Sequence, residues 1–206
     1  MPIVVNNLIN GNSKLGVWKL TEAIEELEAI FPFIPEETTY YNNLKNDKRK
    51  REWIVARILI TELLKQRVLI KYTNYGKPYI DNNSSKISIS HSKNHVAVII
   101  SNKFSPGIDI EHIADRVQKV KHKFLQTQEL EWCNNNELMT LCWSAKEAIF
   151  KIFEKELDFH DIVISKFDES DSWFNASTNK NTPTTNFRVY FDRIENDVLT
   201  YTFQLY

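Results

Sequence analysis

The chain has 206 residues, with 26 Lys and Arg against 27 Asp and Glu, a net charge of −1 and 42% hydrophobic residues. That length suits one sizeable domain or two small packed ones, the apolar fraction excludes a disordered chain, and the balanced charge argues against a surface given over to nucleic acid. Of only four glycines, Gly11, Gly16, Gly76 and Gly107, neither a G-x-G-x-x-G nor a G-x-x-x-x-G-K-[ST] motif can be written, so any phosphate must be held by side chains or a metal.

In chain order, Ile3 to Ile9 and Gly16 to Leu20 read as strands. Thr21 is placed to cap an acidic helix through Leu27 to Ile30, with Pro32 and Pro35 as stops and a Tyr-, Asn- and Thr-rich linker after them. From Asp47, Trp53, Ala56, Ile60 and Leu63 recur at steps of three and four and predict a long helix. Val68 to Tyr72 reads as a strand and Asn74 to Pro78 as a turn. Lys86 to Ser90 and His95 to Ser101 read as a hairpin about Lys93-Asn94, and Ile108 to Glu111 as a further extended segment. A short helical pattern over Lys121 to Cys133 precedes a longer one from about Glu137 to Lys155. Strands are expected at Asp161 to Phe167, Phe187 to Arg193 and Leu199 to Leu205, with Ser170 to Asn186 a solvated loop.

A long helix followed by three strands thus occurs twice, and Trp53-Ile54-Val55-Ala56-Arg57 stands beside Trp143-Ser144-Ala145-Lys146-Glu147. The expected fold is α+β: two similar halves, residues 1–104 and 105–206, related by a pseudo-twofold with a ligand cleft between them. The N-terminus shows no basic leader before an apolar run, and no stretch nears the roughly 18 apolar residues of a spanning helix. Cys133 and Cys142 do not have the spacing of a disulfide framework. The expectation is a cytoplasmic protein with reduced thiols.

Four groups of residues offer chemistry. On a strand, Asp109 and Glu111 share one face while Ile108 and Ile110 point into the core. Two carboxylates so placed suit Mg²⁺, or else form a solvated acidic face. Trp143, Glu147 and Lys151 fall on one helical face, where Glu147 and Lys151 are either functional or an ordinary exposed i,i+4 pair. His91, framed by Ser90 and Ser92, is a core histidine by its parity with Ile87 and Ile89, or a phosphate contact at a strand end. The basic run Lys45 to Arg51 suits a solvated helix start, whereas Arg57 lies within the apolar stripe of its helix and needs a carboxylate or phosphate partner. Lys77 is a turn lysine.

In order, Gly76-Lys77-Pro78, Ile87-Ser88-Ile89-Ser90-His91-Ser92, Gly107-Ile108-Asp109-Ile110-Glu111 and Trp143-Ser144-Ala145-Lys146-Glu147-Ala148-Ile149-Phe150-Lys151 resemble the signature series of 4′-phosphopantetheinyl transferases of the surfactin-synthetase-activating, two-half type. The resemblance runs from about Lys48 to Lys155. It implies transfer of the phosphopantetheine arm of coenzyme A to a serine of an apo carrier protein of acyl, polyketide or peptidyl type, with release of adenosine 3′,5′-bisphosphate, by a monomer that uses neither nucleic acid nor membrane. Carried onto this chain, it implies Mg²⁺ at Asp109, Glu111 and Glu147, with Glu147 and Lys151 catalytic and Lys151 on the pyrophosphate. Ser90 and His91 would contact coenzyme phosphates, Arg51 or Arg57 the 3′-phosphate, and Lys77 and Pro78 the adenine. Lys14 and Lys19 are candidates for the family's upstream basic residues. The alternatives are another Mg²⁺-dependent phosphotransferase, or a binding module for coenzyme A or nucleic acid without turnover.

Overall fold

Where the sequence reads as one or two strands, the chain opens on a hairpin of β1 (Ile3–Ile9) and β2 (Ser13–Lys19), turned at Asn10 and Gly11 with positive φ. The computed structural model describes residues 2–81, 83–153, 157–178, 180 and 184–204. Helix α1 (Ile24–Ile30) begins later than Thr21: the Glu26 carboxylate reaches back to accept from the Ala23 N–H at 2.9 Å. The expected linker contains helix α2 (Pro35–Asn42). Pro35 sits in its first turn, where no intrahelical N–H is needed and the ring presets φ, so the proline starts a helix instead of stopping one.

Asn46 accepts from the Lys48 N–H at 2.8 Å and caps α3 (Asp47–Leu64), which buries Trp53, Ala56, Ile60 and Leu63 as the periodicity predicts. A ribbon of β3 (Ile70–Tyr72) and β4 (Pro78–Ile80) follows, and the second of these strands was not anticipated. The hairpin β5 (Lys86–His91) and β6 (His95–Ser101) falls where the alternation places it, and β7 (Ser105–His112) is longer than the expected segment. The single helical pattern expected over 121–133 resolves into α4 (Arg116–Val120), a 3₁₀ turn at Lys121–Lys123 and α5 (Thr127–Leu130). Then come α6 (Asn136–Phe153), β8 (Ile162–Ile164), β9 (Trp173–Thr178), β10 (Thr185–Ile194) and β11 (Asp197–Gln204). Strand β9 lies inside the stretch expected to be a loop, and its alternate residues Phe174, Ala176 and Thr178 are buried. The expected element ends at Lys155 and Leu205 lie outside the described residues.

Among the described residues two larger antiparallel sheets form beside the β3-β4 ribbon, one in the order β1-β2-β6-β5 and one in the order β7-β11-β10-β9-β8, so the architecture is mixed helix and antiparallel sheet. Helix α3 covers the first sheet and α6 the second. Strand β6 is buried throughout, and apolar from Val96 to Ile100, because both its faces are covered. Val96, Val98 and Ile100 pack in the α3 core, whereas Ala97 and Ile99 join Leu15, Val17, Ile108, Ile110, Leu199 and Phe203 between the sheets. With Ile108 and Ile110 committed to that interlayer, the period of two turns Asp109 and Glu111 toward α6. No described helix is long and apolar enough to cross a membrane.

Candidate active site

Helix α6 lies unusually close to β7. A Cβ added at Gly107 would sit 1.9 Å from the Ala148 carbonyl oxygen, so only glycine lets the helix backbone down onto the strand. The approach sets one face of α6 against the polar face of β7. At one end the Trp143 indole N–H donates to Glu111 Oε1 at 3.1 Å; at the other Lys151 Nζ donates to Asp109 Oδ1 at 2.8 Å and to the Ile108 carbonyl at 2.9 Å. Glu147 stands on the turn between them. Lys151 therefore pairs across to the strand with Asp109, and the ordinary i,i+4 helix pair with Glu147 is not what this face is built for.

Crowding of the carboxylates is visible in their acidity. Burial, then the charge of Asp109, pushes Glu147 up from an ordinary 4.5 to about 7, with Lys151 opposing and Glu111 adding to the rise. Glu111 is raised by the same two main causes, while Trp143, Arg116 and Lys151 pull it back. Asp109 is 3% exposed; its Oδ1 also accepts from Ser90 Oγ at 2.7 Å, and its Oδ2 is buried without a hydrogen-bond partner among the described residues.

Ser90 brings the first sheet into the site, and the next residue extends it. His91 is exposed at the end of β5 and is no core histidine. Its Nε2 lies 2.5 Å from Arg49 Nη1, and the same Nη1 donates to Glu52 Oε2 at 2.9 Å. The partial withdrawal of the His91 ring from solvent lowers its pKa, and nearby Arg49, Lys151 and Lys48 lower it further against Glu52. Arg49, Glu52 and His91 line a cleft of about 310 Å³ walled by Tyr40, Trp53 and Tyr72. Arg57 also reaches this cleft but is 2% exposed. Its Nε donates to Glu37 Oε1 at 2.8 Å and its guanidinium lies 3.4 Å from the Trp53 ring centroid, so the partner it requires is a carboxylate of α2. Arg51 is half-buried and does not line the cleft.

A second cavity, about 170 Å³, is lined by Gly76, Lys77 and Pro78 on one side and by Phe150 and Lys151 of α6 on another. Lys77 Nζ donates to the Ile152 carbonyl at 2.8 Å, on one of the last-turn acceptors that a helix leaves without an internal partner. Lys14 does the same for α3 through the Leu63 carbonyl at 2.7 Å, and Lys19 pairs with Glu195. Both cysteines are buried free thiols.

The structure thus draws together Ser90, Asp109, Glu111, Glu147 and Lys151, sets His91 beside them, leaves Arg51 off the cleft that His91 lines, and commits Arg57, on the wall of that cleft, to Glu37. Sequence reasoning missed Arg49 and Glu52, and placed Trp143 on the face of Glu147 and Lys151 without giving it a role. Arg49 was hidden in the basic run, where its spacing of three from Glu52 was the available signal. Among the described residues, no three His, Cys, Asp or Glu side chains are gathered so as to hold a metal ion. Within the cluster Lys151 is seated on Asp109, while Trp143 and Arg116 hold Glu111.

Residues 105–201 match the model of a protein family described as the 4′-phosphopantetheinyl transferase superfamily. The matched segment contains Asp109, Glu111, Glu147 and Lys151; Arg49, Lys77, Ser90 and His91 precede it. No curated protein matches the chain.

Proposed function

We propose that this protein transfers the 4′-phosphopantetheine arm of coenzyme A to a serine of an apo carrier protein, releasing adenosine 3′,5′-bisphosphate. The observation that carries the reading is the meeting of Lys151 and Asp109 at the point where Ser90 and His91 come up from the other sheet. A lysine, a serine and a histidine beside a carboxylate cluster suit a pyrophosphate bound together with a divalent cation, and the family match covers the acidic and cationic part of that constellation. The reading takes residues 1–104 and 105–206 as two halves related by a pseudo-twofold, with the coenzyme between them.

The donor set fits Mg²⁺. Asp109 offers a buried oxygen without a partner among the described residues, and Glu147 is pushed to about 7 by burial and by the charge of Asp109, more than Lys151 offsets. Mg²⁺ takes oxygen ligands and commonly uses one or two carboxylates with substrate phosphates, so a closed protein cage is not required. Asp109, Glu111 and Glu147 would hold it, and when bound it would neutralise charge on the transferring phosphoryl group. Lys151 exchanges Asp109 for a pyrophosphate oxygen and stabilises the departing bisphosphate. Ser90 and His91 contact coenzyme phosphates, Lys77 and Pro78 flank the adenine, and Glu147 accepts the serine proton. For the 3′-phosphate we assign Arg49 with His91, because Arg49 lines the cleft and Arg57 is committed to Glu37.

Intact-mass spectrometry of apo acyl, polyketide and peptidyl carrier proteins, incubated with the protein, coenzyme A and Mg²⁺, tests the reading and ranks the partners. The expected result is a mass gain of one phosphopantetheine on at least one carrier, lost by about 10²–10³-fold in rate in Asp109→Ala and Lys151→Ala. No gain on any carrier, or full rates in both variants, overturns it.

A further inference from the structure

A second polar cluster lies beyond the proposed site, where the turn after β5 meets the start of β11. Asp197, 1% exposed, accepts from three side chains: Ser92 Oγ, His95 Nδ1 at 2.7 Å and His112 Nδ1 at 2.7 Å. Burial would raise this carboxyl, but the hydrogen bonds from His95, Ser92 and His112 outweigh it and hold it below its usual value. An ionised carboxylate only accepts, so both imidazoles present Nδ1–H to it. Around this centre the backbone closes as well. Ser92 Oγ accepts from the His95 N–H at 3.1 Å, the Ser92 N–H donates to the His95 carbonyl at 2.9 Å, and the Ile113 N–H donates to the Asn196 carbonyl at 2.9 Å.

Strand β5 meets β7 first where Ser88 Oγ accepts from the Ile108 N–H at 3.2 Å, and its end is held to β7 by two further ties among the described residues. Ser90 is tied to Asp109 inside the site; two residues on, Ser92 and His112 are tied through Asp197. The residues bracketed by the two ties are His91 on β5, and Ile110 and Glu111 on β7. The strands belong to different sheets, so no backbone ladder sets this spacing. We infer that Asp197 is a positioning residue, the buried carboxylate that holds the His91 end of β5 at a set distance from Glu111 in the transfer reaction proposed above, on which this inference rests.

The test compares Asp197→Ala, Asp197→Asn and Ser92→Ala with the wild type in two measurements. In steady-state transfer, Asp197→Ala should raise KM for coenzyme A about tenfold with a smaller fall in kcat, as loss of an orienting partner does, while Asn, which keeps one acceptor, recovers most of the loss. Ser92→Ala, which removes one of the three donors, should fall between wild type and Asp197→Ala. In amide hydrogen exchange, which needs no activity, residues 90–95 and 109–113 should exchange faster together in Asp197→Ala while the core of α3 does not. A carboxylate that only stabilised the fold would reduce the active fraction, leave KM unchanged and raise exchange throughout, and that result overturns the inference. If the wild type transfers nothing yet the two segments loosen together, the tie stands and the transfer reading falls.

Discussion

Helices α3 and α6 are built alike and used differently. Each has 18 residues and lies over a glycine of its sheet. Each buries one cation against a carboxylate from a neighbouring helix, Arg57 with Glu37 at 2.8 Å and Lys146 with Glu129 at 2.6 Å, and each receives a lysine from elsewhere on its last turn. The difference lies at the glycine. Beneath α3, a Cβ on Gly16 would meet the end of the Leu59 side chain at 2.8 Å; beneath α6, a Cβ on Gly107 would meet a backbone carbonyl at 1.9 Å. A side-chain contact leaves play, because a leucine can change rotamer, and a backbone contact leaves none. The helix with play offers its first turns, Arg49 and Glu52, to the cleft, whereas the helix without play carries Glu147 and Lys151 along its middle face. Under the proposed function, chemistry that depends on fractions of an ångström would lie on the helix that cannot shift.

That contrast is open to direct attack. Gly107→Ala should destabilise the protein by ~3 kcal/mol or more in chemical denaturation, since the helix backbone must move. Gly16→Ala should stay within about 1 kcal/mol of wild type, because rotation of Leu59 and the loss of glycine's unfolded-state freedom offset one another. Equal effects would erase the distinction between the two seats.

A smaller effect is expected from pH. Glu147 has a folded pKa of about 7 against an ordinary 4.5. Below the lower value it is protonated in both states and has no influence; between the two the folded state binds more protons, so stability falls as pH rises, and above about 7 the penalty is complete. In metal-free buffer, Glu147→Gln should therefore unfold at higher denaturant than wild type at pH 8 and at much the same denaturant at pH 4. Added Mg²⁺ should stabilise the wild type at pH 8 more than the variant. A pH-independent difference would mean that the buried charge is not its source.

The mildest prediction concerns the other helix. Arg49→Ala should raise KM for coenzyme A about tenfold and leave dephospho-coenzyme A nearly unaffected, a difference of about 1.4 kcal/mol read on one phosphate. Equal effects on the two substrates would give Arg49 a structural part through Glu52.

Much of this arrangement is legible in the chain, and the omissions have physical causes. The apolar stripes of α3 and α6 and the alternation of β5 and β7 are strong periodic signals, and the parity of Asp109 and Glu111 on β7 follows from strand geometry alone. Helix α2 was lost because Pro35 has one meaning at a helix start and another at a helix end. Strand β9 was lost because two of its inward positions are Ala176 and Thr178, which carry little hydrophobic signal. Which carboxylate Lys151 would choose, and which carboxylate Arg57 would find, are facts of tertiary packing that no spacing along the chain encodes.

The recess at Gly107 also acts as a mechanical index. A helix resting on a smooth strand can slide, and each residue of slip turns its side chains by about 100° and moves them about 1.5 Å along the axis. A slip of one full turn, about 5.4 Å, would carry Glu147 toward the seat of Lys151 and set carboxylate against Asp109. With the Ala148 carbonyl lodged in a notch one carbon wide, the two surfaces mesh in a single register, as a key does in its keyway. The pairing of charge with countercharge in this site thus depends on an atom that is missing from a neighbouring residue.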